Sequence, residues 1–409
     1  MSAFQVKISD RIARLKPSLT LAVSARAEKL RREGVDVVAF GVGEPDFETP
    51  AFVRDEIQSQ LKSHKGLGKY TAVPGTPELR AAVAAELSSV HGFAIAAENV
   101  IVSAGAKHSL YNLFMSLLDA GDEVIVPTPA WVSYTDLVQM ADGTPVLLRT
   151  DAAQDYQIDA VALDKAITPK TRAVLLNSPC NPTGAVYSEA TLRAVGAVLE
   201  KHPHVLVVTD DIYRKLVYGV AWTSIFQVCP ALAPRAVLID GVSKTYAMTG
   251  WRIGYCAAPL ALVKAMSTLQ GQSTTNAATV AQAAARVALG GAPAGTSPEP
   301  IEAMRVEFDK RRKAMVAGLR AIPRVVVQEP RGAFYCFPDL SAFIGSHDGK
   351  HITDDVALAD YLLDEARVAL VPGSGFFAPG FARLSYATSM ERIEEGVKRI
   401  AAALGKLRG

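Results

Sequence analysis

The sequence predicts an α/β protein: a mainly parallel sheet with helices on both faces, followed by a smaller α+β domain. Three observations predict it. Five runs between residues 98 and 240 are rich in Val, Ile and Leu without polar alternation, as strands buried on both faces are. Helical segments separate these runs, the order of a parallel sheet with right-handed crossovers. The 409 residues exceed the range in which a single core keeps growing, so two domains are expected.

In chain order, the N-terminal stretch MSAFQVKISDRIARLKPS sets Phe4, Ile8, Ile12 and Leu15 at helical spacing and reads as a short amphipathic arm. It lacks the continuous apolar core of a secretory signal, although its basic composition faintly resembles a transit peptide. NVIVS (99–103) reads as a strand, KHSLYNLFMSLLDA as a helix and GDEVIVP as the next strand. RAVLLN (172–177), HVLVVTD (204–210) and RAVLID (235–240) follow as strands. LGGAPAGTSPEP (289–300) is the clearest break in composition, and the order of elements changes after it. A long charged helix, PIEAMRVEFDKRRKAMVAGLRAI, leads to strand-like VVVQ and AFYCF. TDDVALADYLLDEA looks helical, VALVP and ARLSYA look like strands, and a helix from Ser389 carries Ile393, Val397, Ile400 and Leu404 on one face. The expected division is an arm and part of the small domain over 1–45, a large domain over 46–292 and a small domain over 293–409.

Composition narrows the function classes. A formal net charge of +2 argues against nucleic acid or an anionic membrane as the main partner. No run of about 18 apolar residues exists, so no membrane span is expected. Cys180, Cys229, Cys256 and Cys336 are widely separated with no CxxC pair, as in a reducing, cytoplasmic setting without a disulfide framework or zinc site. HExxH is absent and HPH at 202–204 reads as a solvated turn, so no metal is expected.

In open parallel sheets, ligands bind beyond the carboxyl ends of the strands. After NVIVS comes SAGAK, where Gly105 and Ala106 open a helix whose free N–H groups suit phosphate; a plain tight turn would need the same small residues. No GxGxxG or Walker-type loop occurs, which disfavours dinucleotides and nucleoside triphosphates. After RAVLLN comes SPCNPTG, with Asn181 held between two prolines in a turn. After HVLVV comes TDDIY, where Asp210 needs a partner at the end of a buried strand and Tyr213 can face the same space. After RAVLID comes GVSKTYAMTGWRIGY, with Lys244 and Arg252 among small and apolar residues. Together these suit a phosphorylated aromatic aldehyde: the lysine forms a Schiff base and the carboxylate keeps a ring nitrogen protonated. The cofactor implied is pyridoxal 5′-phosphate.

SLTLAVSARA, GVGEPDF, KYTAVPGTPELR, NSPCNPTG, DDIY, SKTYAMTGWRIGY and ARLSYATS, spread in order over nearly the whole chain, resemble the class I aminotransferases. They are similar in particular to the bacterial aspartate aminotransferase branch that includes dual aspartate/prephenate enzymes. The resemblance implies a fold-type I enzyme, a homodimer with shared active sites, moving the amino group of L-aspartate to 2-oxoglutarate, with prephenate as an additional acceptor. An aromatic or alanine-type aminotransferase, or a β-lyase, is the alternative on the same fold. A non-catalytic regulator is the rival from another class, and this length is expected to leave no room for its DNA-binding segment.

By the family pattern Lys244 would carry the cofactor and shuttle a proton. Asp210 would pair with the ring nitrogen, and Asn181 and Tyr213 would bond the ring oxygen. Trp131 would stack on the ring. Gly105, Ala106, Ser243 and Arg252 would hold the phosphate, with Tyr70 reaching in from a second subunit. Arg383 would bind the substrate's α-carboxylate as a fork, with Gly43 giving the backbone room; Trp131 and Asn181 would border the substrate. Lys16, Ser18, Thr20 and Lys107 would read a second carboxylate. Two features depart from the pattern: Cys180, where the related loop often has Asn, and IGSHDGKHITDD (344–355), which looks like an enlarged surface loop.

Overall fold

A computed structural model describes residues 6–15, 19–63, 66–291, 299–347 and 350–407. Its strands are β1 (Val38–Ala39), β2 (Val100–Ser103), β3 (Glu123–Thr128), β4 (Thr144–Arg149), β5 (Thr171–Asn177), β6 (Leu206–Asp210) and β7 (Ala236–Gly241). There follow β8 (Gly254–Ala257), β9 (Tyr335–Cys336), β10 (Gly345–His347), β11 (Lys350–Ile352), β12 (Val368–Ala369), β13 (Val371–Pro372) and β14 (Ala382–Ser385). Seven of them form one sheet in the order β2-β8-β7-β6-β5-β3-β4. Only β8 runs against its neighbours.

The absence of polar alternation has a direct cause. Successive side chains point to opposite faces, and each face meets a separate core. Val208 packs on one side with Ile101, Val126, Leu175 and Ile239. Its neighbour Val207 packs on the other with Val102, Ile125, Leu176 and Leu238. The helices Ala106–Leu117 and Leu260–Gln272 cover the first face with Leu110, Leu113, Val263 and Met266. Pro77–His91, Glu189–Lys201 and Thr279–Leu289 cover the second with Val83, Leu87, Val195, Leu199 and Ala284.

Two strands of this sheet were not anticipated. β4 is the half-exposed edge, where Pro145 is tolerated. β8 is buried, but its four residues, Gly-Tyr-Cys-Ala, carry little strand signature.

The remaining strands build a smaller body. β13, β14 and β9 form an antiparallel sheet, and β1 pairs in parallel with β12, so the N-terminal chain is tied to the C-terminal one. Its core joins Val38 and Phe40 to Phe308 and Met315 of the helix Pro300–Arg320. Ile393, Val397, Ile400 and Leu404 of the helix Met390–Leu404 complete it, and Ser389 caps that helix by accepting from Arg392 N. VVVQ is not a strand: Val326 makes one isolated bridge with Asp339 and is exposed. The 344–355 extension contains the β10–β11 hairpin, with His347 and Ile352 buried, so it is more than a surface loop. In the arm, the helix spans only Asp10–Ala13 and leaves Ile8 and Ile12 exposed; Phe4 lies outside the described residues.

Among the described residues no helix is long and apolar enough to cross a membrane, and no group of His, Cys, Asp and Glu is arranged to hold a metal ion. All four cysteines are free and buried. Since β2, β3, β5, β6 and β7 run the same way, the loops at their carboxyl ends share one edge of the sheet.

Candidate active site

At that edge β2 ends in Ser103, and Gly105 (φ 90°) turns the chain into the helix Ala106–Leu117. The first N–H groups of a helix have no acceptor within it. Arg252, itself in the left-handed region at φ 56°, brings its guanidinium to this helix start. A Cβ on Gly105 would come within 2.6 Å of Arg252 Nη2. A Cβ on Gly254 would overlap the backbone of Gly105 and Ala106. Both glycines are therefore required for the cradle to close. Arg252 donates only to the carbonyls of Thr249 (2.9 Å) and Ala104 (3.5 Å), with no carboxylate partner among the described residues. Ser243 is buried in the turn after β7. Free N–H groups plus an uncompensated guanidinium fit a phosphate.

Asp210 is the last residue of β6 and is 3 % exposed. Tyr134 Oη donates to its Oδ2 at 2.8 Å and Ile212 N to its Oδ1 at 3.4 Å. Burial pushes the Asp210 carboxyl up to about 6 against these hydrogen bonds. Lys244 follows β7 and donates from Nζ to Gly43 O at 2.5 Å. Burial is the main cause that takes its ammonium down to about 8; Glu44 opposes this, and Arg383 and Arg252 add to it. A lysine with such a pKa can be an uncharged nucleophile near neutral pH.

Asn181 sits in the SPCNPTG turn, where Asn177 holds it: Asn181 N donates to Asn177 Oδ1 at 2.9 Å, and Asn177 Nδ2 donates to Asp210 O at 2.9 Å. The side-chain Oδ1 of Asn181 faces Arg383, accepting from Nη1 at 3.0 Å. Arg383 Nη2 donates to Gly41 O at 3.0 Å. This guanidinium is 2 % exposed, its Nε has no partner, and it pairs with no carboxylate among the described residues. It lies 4.4 Å from the ring centre of Tyr335 and 5.0 Å from that of Phe376. A Cβ on Gly43 would stand 3.9 Å from Nη2, so the glycine borders the cation. A buried cation without a counter-charge is costly, and a ligand carboxylate would supply the missing charge. The Tyr213 hydroxyl, also buried, lies 2.9 Å from that of Tyr335.

Trp131 stands edge-on to Tyr134 at 5.5 Å, and Lys107 Nζ lies 4.5 Å above its ring centre. Lys107 stands near Arg252, and burial with that neighbouring charge lowers its pKa. Tyr70 is 90 % exposed, so the described residues cover little of it. Lys16 and Ser18 lie outside the described residues; Thr20 belongs to the helix Leu19–Arg32. The structure thus brings together Lys244, Asp210, Asn181, Tyr213, Arg383 and Gly43, with Gly105, Ala106, Arg252, Trp131 and Lys107 alongside. Sequence reasoning passed over Tyr134, Asn177 and Tyr335. Tyr134 follows Trp131 by three residues, just inside the helix Ser133–Met140, and this closeness in sequence could have suggested it.

The donor set fits pyridoxal phosphate: an anion cradle, a buried carboxylate, hydroxyl and amide groups, and a lysine amine. Comparison with known proteins agrees with this chemistry. Residues 35–400 match the family described as aminotransferase class I and II. The chain is 43 % identical over 403 residues to an aspartate/prephenate aminotransferase of Nitrosomonas europaea, covering 98 % of this chain and 100 % of that one. It superposes with a TM-score of 0.93 on an aspartate aminotransferase from Rhizobium meliloti, at 42 % identity over 99 % of this chain and 100 % of that one. An aspartate aminotransferase from Thermus thermophilus with maleate gives 0.90 at 40 % identity, covering 98 % and 100 %.

Proposed function

We propose that this chain, which belongs to the class I and II aminotransferases, moves the amino group of L-aspartate to 2-oxoglutarate, giving oxaloacetate and L-glutamate, with prephenate as a further acceptor. The observation that carries the reading is Arg383, a buried guanidinium lacking a carboxylate partner and facing Asn181, beneath which an α-carboxylate would complete the charge balance. The names of the relatives support aspartate as donor, and Lys107 over Trp131 supplies a second cation for a second carboxylate.

Bound pyridoxal phosphate supplies an electron sink for the pair left at the substrate's Cα. The chain's residues do the rest. Lys244 would hold the cofactor, and its released amine would take and return the Cα proton. Asp210, fixed by Tyr134, would pair with the ring nitrogen and keep it protonated. Asn181 and Tyr213 would hold the ring through its oxygen, and Trp131 would stack against it. Gly105, Ala106, Ser243 and Arg252 anchor the phosphate. Arg383 and Gly43 orient the α-carboxylate, and Lys107, with Lys16, Ser18 and Thr20, reads the second one. The exposure of Tyr70 supports a homodimer in which this side chain enters the partner's site. The large domain would span 46–292, with 1–45 and 293–409 forming the arm and small domain. Four free thiols support the cytoplasm as location.

The test is direct. Purified protein given pyridoxal phosphate should show a visible band, borohydride should fix the cofactor to Lys244, and kcat/KM should favour aspartate over alanine and aromatic donors. Transfer from alanine but not aspartate would refute the acidic-substrate reading.

A further inference from the structure

The Arg383 site and the Tyr213 hydroxyl meet in one side chain to which the chemistry above gives no role, Tyr335. It stands on β9 opposite Ser385 of β14, so Arg383 is its diagonal neighbour on the same face. Its ring centre lies 4.4 Å from the guanidinium carbon. Its hydroxyl lies 2.9 Å from that of Tyr213, its one hydrogen-bond partner among the described residues. A Cβ on Gly43 would come within 3.5 Å of that hydroxyl. Tyr335 is 1 % exposed, and its contacts with Arg383 and Tyr213 are both direct.

The two functions of this phenol are linked by geometry. The ring face attracts and orients the guanidinium through its quadrupole. Between the two hydroxyls lies one shared proton. When Tyr213 donates to a ligand oxygen, Tyr335 must be the donor to Tyr213. A hydroxyl that accepts one hydrogen bond donates a stronger one, because the chain polarises.

We infer that Tyr335 is a positioning residue joining the carboxylate site at Arg383 to the Tyr213 hydroxyl: its ring orients the guanidinium and its hydroxyl strengthens Tyr213 as a donor. A carboxylate seated on Arg383 therefore changes the field at the Tyr335–Tyr213 pair. The inference rests on the proposed placement of the cofactor's ring oxygen at Tyr213. Donation to that oxygen favours its anionic form and lowers the pH at which the lysine-bound cofactor loses its proton. Removing the Tyr335 hydroxyl weakens donation and raises that pH.

The experiment is a spectrophotometric pH titration of holoenzyme, with and without saturating maleate as an unreactive dicarboxylate. It compares the unmodified chain with Tyr335→Phe, Tyr213→Phe and the double variant. Tyr335→Phe should raise the midpoint by about half a pH unit or more, and should at least halve the further shift produced by maleate. In the Tyr213→Phe background the same substitution should do nothing. Phe keeps the ring, so KM for aspartate should hold within about twofold, whereas Tyr335→Leu should raise it about fivefold or more. An unmoved midpoint in Tyr335→Phe overturns the inference alone, as does an equal effect with and without Tyr213. A protein with no visible band and no reducible attachment at Lys244 overturns the cofactor reading and the inference with it.

Discussion

Replacing Arg383 tests the substrate site most sharply, because its lysine and glutamine variants separate charge from geometry. Two of the guanidinium's donors are engaged by Asn181 Oδ1 and Gly41 O, each at 3.0 Å, and the remainder are free for a ligand. Arg383→Lys keeps a charge in the same buried place but loses the fork. The loss of at least one charge-assisted hydrogen bond is worth about 1.5–3 kcal/mol, roughly 10- to 100-fold in kcat/KM for aspartate. Arg383→Gln also removes the charge and leaves the incoming carboxylate desolvated without a counter-ion, at about 2–5 kcal/mol or roughly 30- to 5,000-fold. The grip acts on a group that does not change during the reaction, so KM should absorb much of the effect. Steady-state kinetics with aspartate, accompanied by melting curves to exclude unfolding, makes the comparison. Equal losses for Lys and Gln, or a lysine variant within twofold of the parent, would refute the carboxylate assignment.

Three further outcomes follow from the same geometry. Attachment of pyridoxal phosphate to cofactor-free protein needs the neutral Lys244 amine, whose pKa is lowered from 10.5 to about 8; the attachment rate should rise about tenfold per pH unit below 8 and level off above it, as stopped-flow absorbance can follow. Asp210→Asn should abolish turnover yet stabilise the cofactor-free protein at pH 7. The folded-state carboxyl stands near 6 instead of 3.8, so its ionisation opposes folding by up to about 3 kcal/mol above pH 6; that gain should vanish as pH falls towards 4, a trend that melting temperatures across pH would reveal. Gly254→Ala pushes a methyl group into the backbone of Gly105 and Ala106, and should weaken pyridoxal phosphate binding about tenfold or more, measured by retention on dialysis.

What was legible in the sequence follows from which surfaces are buried. β5, β6 and β7 read as unbroken apolar runs because both faces meet cores, and their carboxyl ends pointed to Asn181, Asp210 and Lys244. β4 carries the weaker pattern of an edge, and β8, Gly-Tyr-Cys-Ala, lacks the Val/Ile run that made the equally short β2 legible. The supporting phenols were hidden for another reason. Tyr134 is 76 residues from Asp210, and Tyr335 is 122 from Tyr213, so only the fold brings each pair together. Local rules of spacing cannot see such pairs, whereas Gly105 and the helix after it form one local turn and can be seen.

The adjacent acids of DDIY show how the fold decides between like residues. Both are buried, at 3 % for Asp210 and 4 % for Asp211. Alternation sends them to opposite sides of the sheet. Asp211 continues the face of Val207 and Thr209, where Thr209 Oγ1 donates to it at 2.5 Å and His91 Nε2 stands 3.8 Å away. There it is closed in by the helix Pro77–His91. Asp210 continues the face of Val208, where Tyr134 meets it and the nearby Lys244 partly offsets the upward push of burial on its carboxyl. A one-residue slip of β6 would exchange the two environments and present the wrong carboxylate. Asp210 is therefore selected by strand parity, and the register Asn177↔Asp210 and Asp210↔Ile239 is what makes it the acid at the site.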